Sequence, residues 1–320
     1  MTDVISLGEA LIDFVPTKSG VKLTDVPGFK KRFGGAPANV AVGLANFGVD
    51  VGFVGKVGLD SFGDFIEREF RAHGVDVDHL LRSRRANTTL AFVSLTSEGD
   101  RDFVFYRNPG ADELLEVNEV EEGYISSGRV LHFGSLSLTG KSSREATSRA
   151  IELGRSSGSL ISMDPNVRFS LWPDRKSVLK EIKDLLSEVD LLKLSEEEAR
   201  LLGDDDDLKS GVTKLEKMGP DLVVVTRGGD GYYCRLHGAE YSSDGYDIDV
   251  VDTTGAGDGF MAGLLFKLLD DLRSFPELET DLLAPALDFA NATAALTTTD
   301  YGAISSLPRR EEVESLLNGE

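Results

Sequence analysis

The stretch Asp252-Thr253-Thr254-Gly255-Ala256-Gly257-Asp258-Gly259-Phe260 decides how this chain is read, together with the apolar spacing of Met261, Leu264, Leu265, Leu268 and Leu269 behind it. Small residues let a backbone turn tightly, and the apolar positions that follow recur at helical spacing. The pattern predicts a strand over Tyr246 to Val251, a turn, and a buried helix. Successive N–H groups at the start of such a helix can converge on an anion. Asp258 falls in the first helical turn, where the helix dipole favours its ionised form and leaves it able to accept a proton at neutral pH. A base beside an oxyanion cradle is what phosphorylation of a hydroxyl requires. Helix capping by Asp258 alone is the plainer alternative, and the clustered glycines argue against it.

Upstream, short β-rich runs alternate with helical patterns. Strands are expected at Val4 to Gly8, Val51 to Val57, Val130 to Ser135, Leu160 to Asp164, Leu191 to Leu194 and Leu222 to Thr226. Helices such as Ser61 to Ala72, closed by Gly74, and Lys176 to Ser187 lie between them. This order argues for βα units, a mainly parallel sheet and a layered α/β core. Two segments break the alternation. Thr88 to Thr96 and Asp102 to Arg107 read as a hairpin turning at Ser97 to Asp100, and Phe14 to Phe33 is extended without helical period. Together they predict a small β flap inserted into the large domain, an element that commonly covers a site.

The 320 residues are 41% hydrophobic with a formal charge of −21, enough apolar material for a large core and a field that repels polyanions. The basic clusters Lys30 to Arg32 and Arg82 to Arg85 are too short to reverse that field, so neither nucleic acid nor an anionic membrane is an expected partner. A single cysteine, Cys234, sits in an apolar stretch and reads as a small buried hydrophobe, while the four histidines show no metal-ligand spacing. No apolar run approaches the roughly 18 residues of a membrane span, and Met1 to Asp13 lacks the features of a signal peptide. A cytoplasmic protein is expected. The acidic run Asp204 to Asp207 reads as a solvated loop or helix start.

Three familiar motifs fail. Gly154-Arg155-Ser156-Ser157-Gly158 has the spelling of a nucleophile elbow but follows a helix and precedes a strand. Gly140-Lys141-Ser142 lacks the earlier glycine of a P-loop, since position 135 is Ser135. Gly255-Ala256-Gly257 would need a third glycine where Phe260 stands to be a dinucleotide fingerprint.

The run Asp252 to Phe260 resembles instead the second signature of the PfkB, or ribokinase-like, carbohydrate kinases. Gly34-Gly35-Ala36-Pro37-Ala38-Asn39-Val40-Ala41 and Gly55-Lys56-Val57-Gly58-Leu59-Asp60 resemble the first. Gly8-Glu9-Ala10-Leu11-Ile12-Asp13, Asp164-Pro165-Asn166-Val167-Arg168, Thr226-Arg227-Gly228-Gly229-Asp230-Gly231 and Asn291 to Pro308 extend the likeness over nearly the whole chain. The resemblance implies one kinase domain over 1–320, a three-layer α/β/α fold with a mainly parallel central sheet, and a β-sheet lid formed by about 14–33 and 87–110. It also implies a homodimer joined through that lid.

By the same resemblance, Asp258 is the base, and the N–H groups of Gly255, Ala256, Gly257 and Asp258 hold the transferred phosphoryl group, so that catalysis rests on positioning and electrostatics. Asp13, Gly34, Gly35 and Asn39 match sugar-binding positions, where carboxylate and carboxamide suit vicinal hydroxyls. Thr226, Gly228 and Gly231 match the turn beside the triphosphate of ATP, and Asn291 matches a position near the adenine. Asn166, Arg168 and Lys193 point toward phosphates or sugar. Asp252, Thr254, Thr297, Gly302 and Ser306 fall where some members hold potassium. The family's N-x-x-E motif, tied to Mg²⁺, reads Ser195-Glu196-Glu197-Glu198 here, so Glu198 organises magnesium through water. Ser195 and Glu198 also spell a helix capping box, and both roles can coexist.

Phe103 to Asp112, Asp164 to Arg168 with Leu171-Trp172, and Lys193-Leu194-Ser195 are similar to the fructokinase branch of the family. Tyr106 and Arg107 end the flap and are expected to face the sugar. The implied reaction is ATP-dependent phosphorylation of D-fructose at its 6-hydroxyl. The alternatives are a 2-keto-3-deoxygluconate kinase, whose acid substrate needs a cation such as Arg107 or Arg168, a nucleoside kinase, or a silent sugar sensor.

Overall fold

The apolar runs of the sequence become strands buried on both faces. In the computed structural model, which describes residues 2–18, 20–95, 101–269 and 280–319, the strands are β1 (Val4–Leu7), β2 (Leu11–Pro16), β3 (Phe29–Gly34), β4 (Val51–Gly58), β5 (Leu80–Ser83), β6 (Leu90–Leu95), β7 (Arg101–Tyr106), β8 (Val130–Gly134), β9 (Leu160–Asp164), β10 (Leu191–Ser195), β11 (Leu222–Thr226), β12 (Tyr232–Leu236) and β13 (Ala239–Ser243). Nine of them form one sheet in the order β13-β12-β11-β10-β9-β8-β1-β4-β5. It is parallel from β5 to β11 and closes with the antiparallel pairs β11–β12 and β12–β13.

The helices are α1 (Ala36–Asn46), α2 (Ser61–Ala72), α3 (Glu122–Ile125), α4 (Lys141–Ser157), α5 (Arg175–Leu185), α6 (Glu196–Gly203), α7 (Leu208–Glu216), α8 (Ala256–Leu268), α9 (Thr280–Thr297) and α10 (Arg310–Asn318). Alternate strand residues face opposite layers. Leu222 and Val224 pack into the core that holds α1, α8 and α9, while Val223 and Val225 enter the core beneath α4, α5 and α7. The three-layer expectation is met.

The small sheet runs β3-β2-β6-β7, with β2 and β6 parallel and both outer pairs antiparallel. Its first half starts at Leu11 and ends at Gly34, a little outside the expected 14–33. The turn placed at Ser97 to Asp100 lies outside the described residues. Phe70 of α2 packs edge-on against Phe33 of β3 and tilted against Phe53 of β4, with centroids 4.7 and 4.6 Å apart, and so roots the small sheet on the large one.

α2 has the expected bounds because Asp60 caps it, accepting from the N–H groups of Phe62 and Gly63. The Lys176 to Ser187 helix begins one residue earlier, and its last turn tightens into a 3-10 turn at Leu186–Glu188. Asp204 to Asp207 link α6 and α7, where Asp207 caps α7 and Asp205 pairs with Lys214 at 2.9 Å. Cys234 is fully buried, and burial pushes its thiol up.

Against the strand expected over Tyr246 to Val251, residues 244–250 carry no regular structure and join β13 to the turn before α8. The composition of Tyr246 to Val251 suits a strand, but its backbone finds other partners. The Val251 N–H donates to the Thr298 carbonyl just beyond α9, as does that of Asp252, and ahead of the segment the Asn291 amide donates to the Asp244 carbonyl at 3.0 Å. Val250 and Val251 are left exposed.

Candidate active site

Parallel strands deliver their carboxyl ends to one edge of the sheet, where open α/β folds bind ligands. Asp164 ends β9, Lys193 lies in β10, Thr226 ends β11, and the N-termini of α1 and α8 face the same edge. A cavity of about 1210 Å³ runs along it, from Glu9, Asp13 and Asn39 to Gly228, Tyr246 and Asn291. That volume exceeds what a single drug-sized ligand needs.

Asp258 is buried where the two helix starts meet. Its Oδ2 accepts from Asn39 Nδ2 at 2.7 Å, and its Oδ1 from Asn166 Nδ2 at 3.3 Å. Burial, and then the Asp164 carboxylate, push its pKa up to about 7 against the Asn39 hydrogen bond and the Lys193 and Arg168 charges. The sequence reading, based on the helix dipole, expected the ionised form to be favoured. Loss of water outweighs the dipole, so the group sits midway between acid and base at neutral pH. Lys193 is held at 2.8 Å by Asp164, both buried, and although burial works against it, the Asp164 carboxylate raises its pKa.

The cradle is built as the small residues demand. Gly255 caps α8 at φ +81°, a left-handed conformation that side chains resist. A side chain at Gly257 would meet Lys193 Nζ at 2.5 Å, so the ammonium lies over the backbone of the first turn. An anion there meets N–H groups, a helix N-terminus and a cation together. Gly228 and Gly229 leave open space around their α-carbons, Gly228 and Gly231 have positive φ, and Thr226 donates its hydroxyl to the Leu194 carbonyl at 3.3 Å.

At the other end, Asp13 lies so close over Gly34 that a Cβ there would be 2.1 Å from its Oδ2; Gly34 makes room and Asp13 lines the cavity. Gly35 caps α1 at φ +111°. Asn166 also has a positive φ, +46°, and its peptide carbonyl accepts from Arg168 Nη1 at 3.4 Å.

Glu198 is the buttress its capping box implies. It accepts from the N–H of Val167 at 2.6 Å and from the N–H and hydroxyl of Ser195 at 2.9 and 3.0 Å, tying the loop after β9 to the start of α6. Among the described residues no three carboxylate, histidine or cysteine groups gather to hold a metal. These residues fit a magnesium ion that arrives on phosphates and keeps its waters, not a protein cage.

Asp252, Thr254, Gly302 and Ser306 come together in one knot. Asp252 accepts from the Thr254 N–H and hydroxyl at 2.8 and 2.7 Å and from the Gly302 N–H at 2.9 Å, and the Ser306 hydroxyl donates to the Gly302 and Ala303 carbonyls. Thr297 turns its hydroxyl back onto the Thr293 carbonyl of its own helix.

Two expected sugar selectors stand elsewhere. Tyr106 is 66% exposed on the outer face of the small sheet, since the two-residue period that brings Phe105 to the cavity turns its neighbour away. Arg107 lies behind the wall, its guanidinium bonded to Asp112, to Thr139 Oγ1 at 2.6 Å and to the Leu136 carbonyl at 3.1 Å. Glu9 and Asp164 were not singled out from the sequence. Their signal was an acid at the carboxyl end of an apolar strand, where no solvated loop explains it.

The raised Asp258 pKa has a consequence for stability. The folded value, about 7, exceeds the usual 3.8, so the contribution of this group is fully present below about pH 4 and is lost as pH rises through 7. Asp258→Asn removes that loss. In urea titrations its stability advantage over the parent should grow by on the order of 2 kcal/mol between pH 5 and pH 8. An advantage that is constant or shrinks with pH would contradict the buried-carboxylate assignment.

Residues 1–310 match the model of the pfkB family of carbohydrate kinases. The chain is 42% identical to Fructokinase-1 of Zea mays over 98% of its own length and 97% of that protein's. In structure it resembles a Xylella fastidiosa fructokinase with bound ATP, at TM-score 0.91 and 32% identity, covering 99% of this chain and 98% of that one. It likewise resembles a fructokinase from Vibrio cholerae O395 in its fructose, ADP and calcium ion bound form, at TM-score 0.89 and 30% identity over 99% of both chains. With the two signature segments meeting at Asp258, the chain belongs to the pfkB family of carbohydrate kinases.

Proposed function

We propose that this kinase transfers the γ-phosphoryl group of ATP to the 6-hydroxyl of D-fructose, giving fructose 6-phosphate and ADP. The observation that carries the reading is the Asp258 carboxylate beside the α8 N-terminus, with Lys193 across the cradle. Asp258 takes the hydroxyl proton while the N–H groups of Gly255 to Asp258 and Lys193 face the charge on the phosphoryl oxygens. Asn39 and Asn166 fix the carboxylate by donating to its two oxygens, one each. Asp13 and Asn39 orient the sugar. The open backbone at Gly228 and Gly229 and the side of the cavity near Asn291 receive the nucleotide.

Magnesium bound to ATP supplies charge neutralisation, and Glu198 serves it by holding the Val167 and Ser195 backbone in place. Potassium is read into the Asp252 knot, where it would tie the turn before α8 to Gly302. Relatives whose names or titles state fructokinase support the choice of sugar. Of the two cations an acid sugar would have called on, Arg107 is already taken by Asp112, while Arg168 lines the cavity. A cytoplasmic location accords with the reduced Cys234, and among the described residues no helix is long and apolar enough to cross a membrane.

Phe14, Phe29, Phe92 and Tyr106 form an aromatic face on the small sheet, the surface through which we read a homodimer. Light scattering should return about twice the 34.6 kDa chain mass; a single-chain mass at micromolar concentration would contradict it. For the substrate, steady-state kinetics with fructose, 2-keto-3-deoxygluconate, ribose and adenosine should place fructose at least about tenfold ahead in kcat/KM, a margin of about 1.4 kcal/mol in transition-state binding. A larger value for any of the others overturns the assignment.

A further inference from the structure

Glu9 follows β1 and lines the acceptor end of the cavity, 3% exposed. Its Oε1 accepts from the Ala36 N–H at 3.1 Å, at the first turn of α1, while its Oε2 has no hydrogen-bond partner. One turn further along α1, Asn39 gives its amide to Asp258 and leaves its carboxamide Oδ1 unpartnered as well. Buried acceptors without donors are uncommon and costly. The polar side chains that residues 9–39 contribute to the cavity wall are Glu9, Asp13 and Asn39, two carboxyl groups and a carboxamide with no cation among them.

Resting on the fructokinase reading above, we propose that Glu9 is a specificity-determining residue: its free oxygen and that of Asn39 accept hydrogen bonds from hydroxyls of a neutral sugar, and its carboxyl group repels acceptors that carry a carboxylate. A neutral polyol offers donors to both unpartnered oxygens. An acidic sugar brings a further negative charge to the Glu9 and Asp13 side of the cavity, where the buried Arg107 is held by Asp112; the cavity's cations, Lys193 and Arg168, lie on the opposite side with Asp164 and Asn166. Burial, with Asp112 adding to it, pushes the Glu9 pKa up to about 7, so the repulsion of a carboxylate strengthens as pH rises through neutrality.

Glu9→Gln keeps an oxygen for the Ala36 N–H and removes the charge. The expected result is a KM for fructose raised about tenfold with kcat and the KM for ATP nearly unchanged, while the inhibition constant of 2-keto-3-deoxygluconate falls at least about fivefold. The ratio of the two constants is the decisive quantity, because a purely structural role at the start of α1 moves both in the same sense. An unchanged ratio, or a parallel loss for both sugars, overturns the proposal. If the parent fails to phosphorylate fructose, the fructokinase reading falls alone, and the same ratio taken with ribose as the neutral sugar still decides the role of Glu9.

Discussion

A carboxylate kept out of water is the constraint on which the rest of this structure depends. In the proposed reaction Asp258 must be dry enough to hold a proton near neutrality and close enough to an anion cradle to use it. The fold meets both needs by bringing the starts of α1 and α8 together, so that Asn39 donates to Asp258 from 219 residues away in the sequence. The cost is visible in the raised pKa: an ionised group in that position is one the folded state would be more stable without.

The surroundings keep that cost bounded. Asp164 and Lys193 form a buried pair beside Asp258, one raising its pKa and the other lowering it. His132, buried in the neighbouring strand, is pushed down to about 3 by burial and by Lys193, so it stays neutral and adds no competing charge. The chain as a whole carries −21, yet its substrate side must receive phosphates. The positive potential is local, supplied by Lys193, Arg168 and the backbone of the first α8 turn, while the surplus acid serves solubility.

Much of this was legible in the sequence. Strand and helix alternated clearly enough to give the layers, because both faces of the parallel strands are buried and their runs are almost wholly apolar. Ser195 and Glu198 spelled a capping box that the structure contains. The misreadings share a cause, dependence on partners distant in sequence. Tyr246 to Val251 has the residues of a strand, but the Val251 N–H is taken by the carbonyl of Thr298 beyond α9. Tyr106 and Arg107 were adjacent to the right residue, yet the pleat sends Tyr106 outward and Asp112 holds Arg107 behind the wall. The helix dipole at Asp258 could be read locally; the burial that overrides it and the Asp164 carboxylate beside it exist only in three dimensions.

The proposed reaction depends on Asp258 as the proton acceptor. Asp258→Asn keeps the shape, the Asn39 contact and the cradle, so single-turnover phosphoryl transfer to fructose with saturating ATP should slow by roughly a hundredfold or more. Calorimetric affinities for both substrates should remain within about threefold of the parent. A transfer rate equal to the parent's would remove Asp258 from the chemistry and contradict the account at its centre.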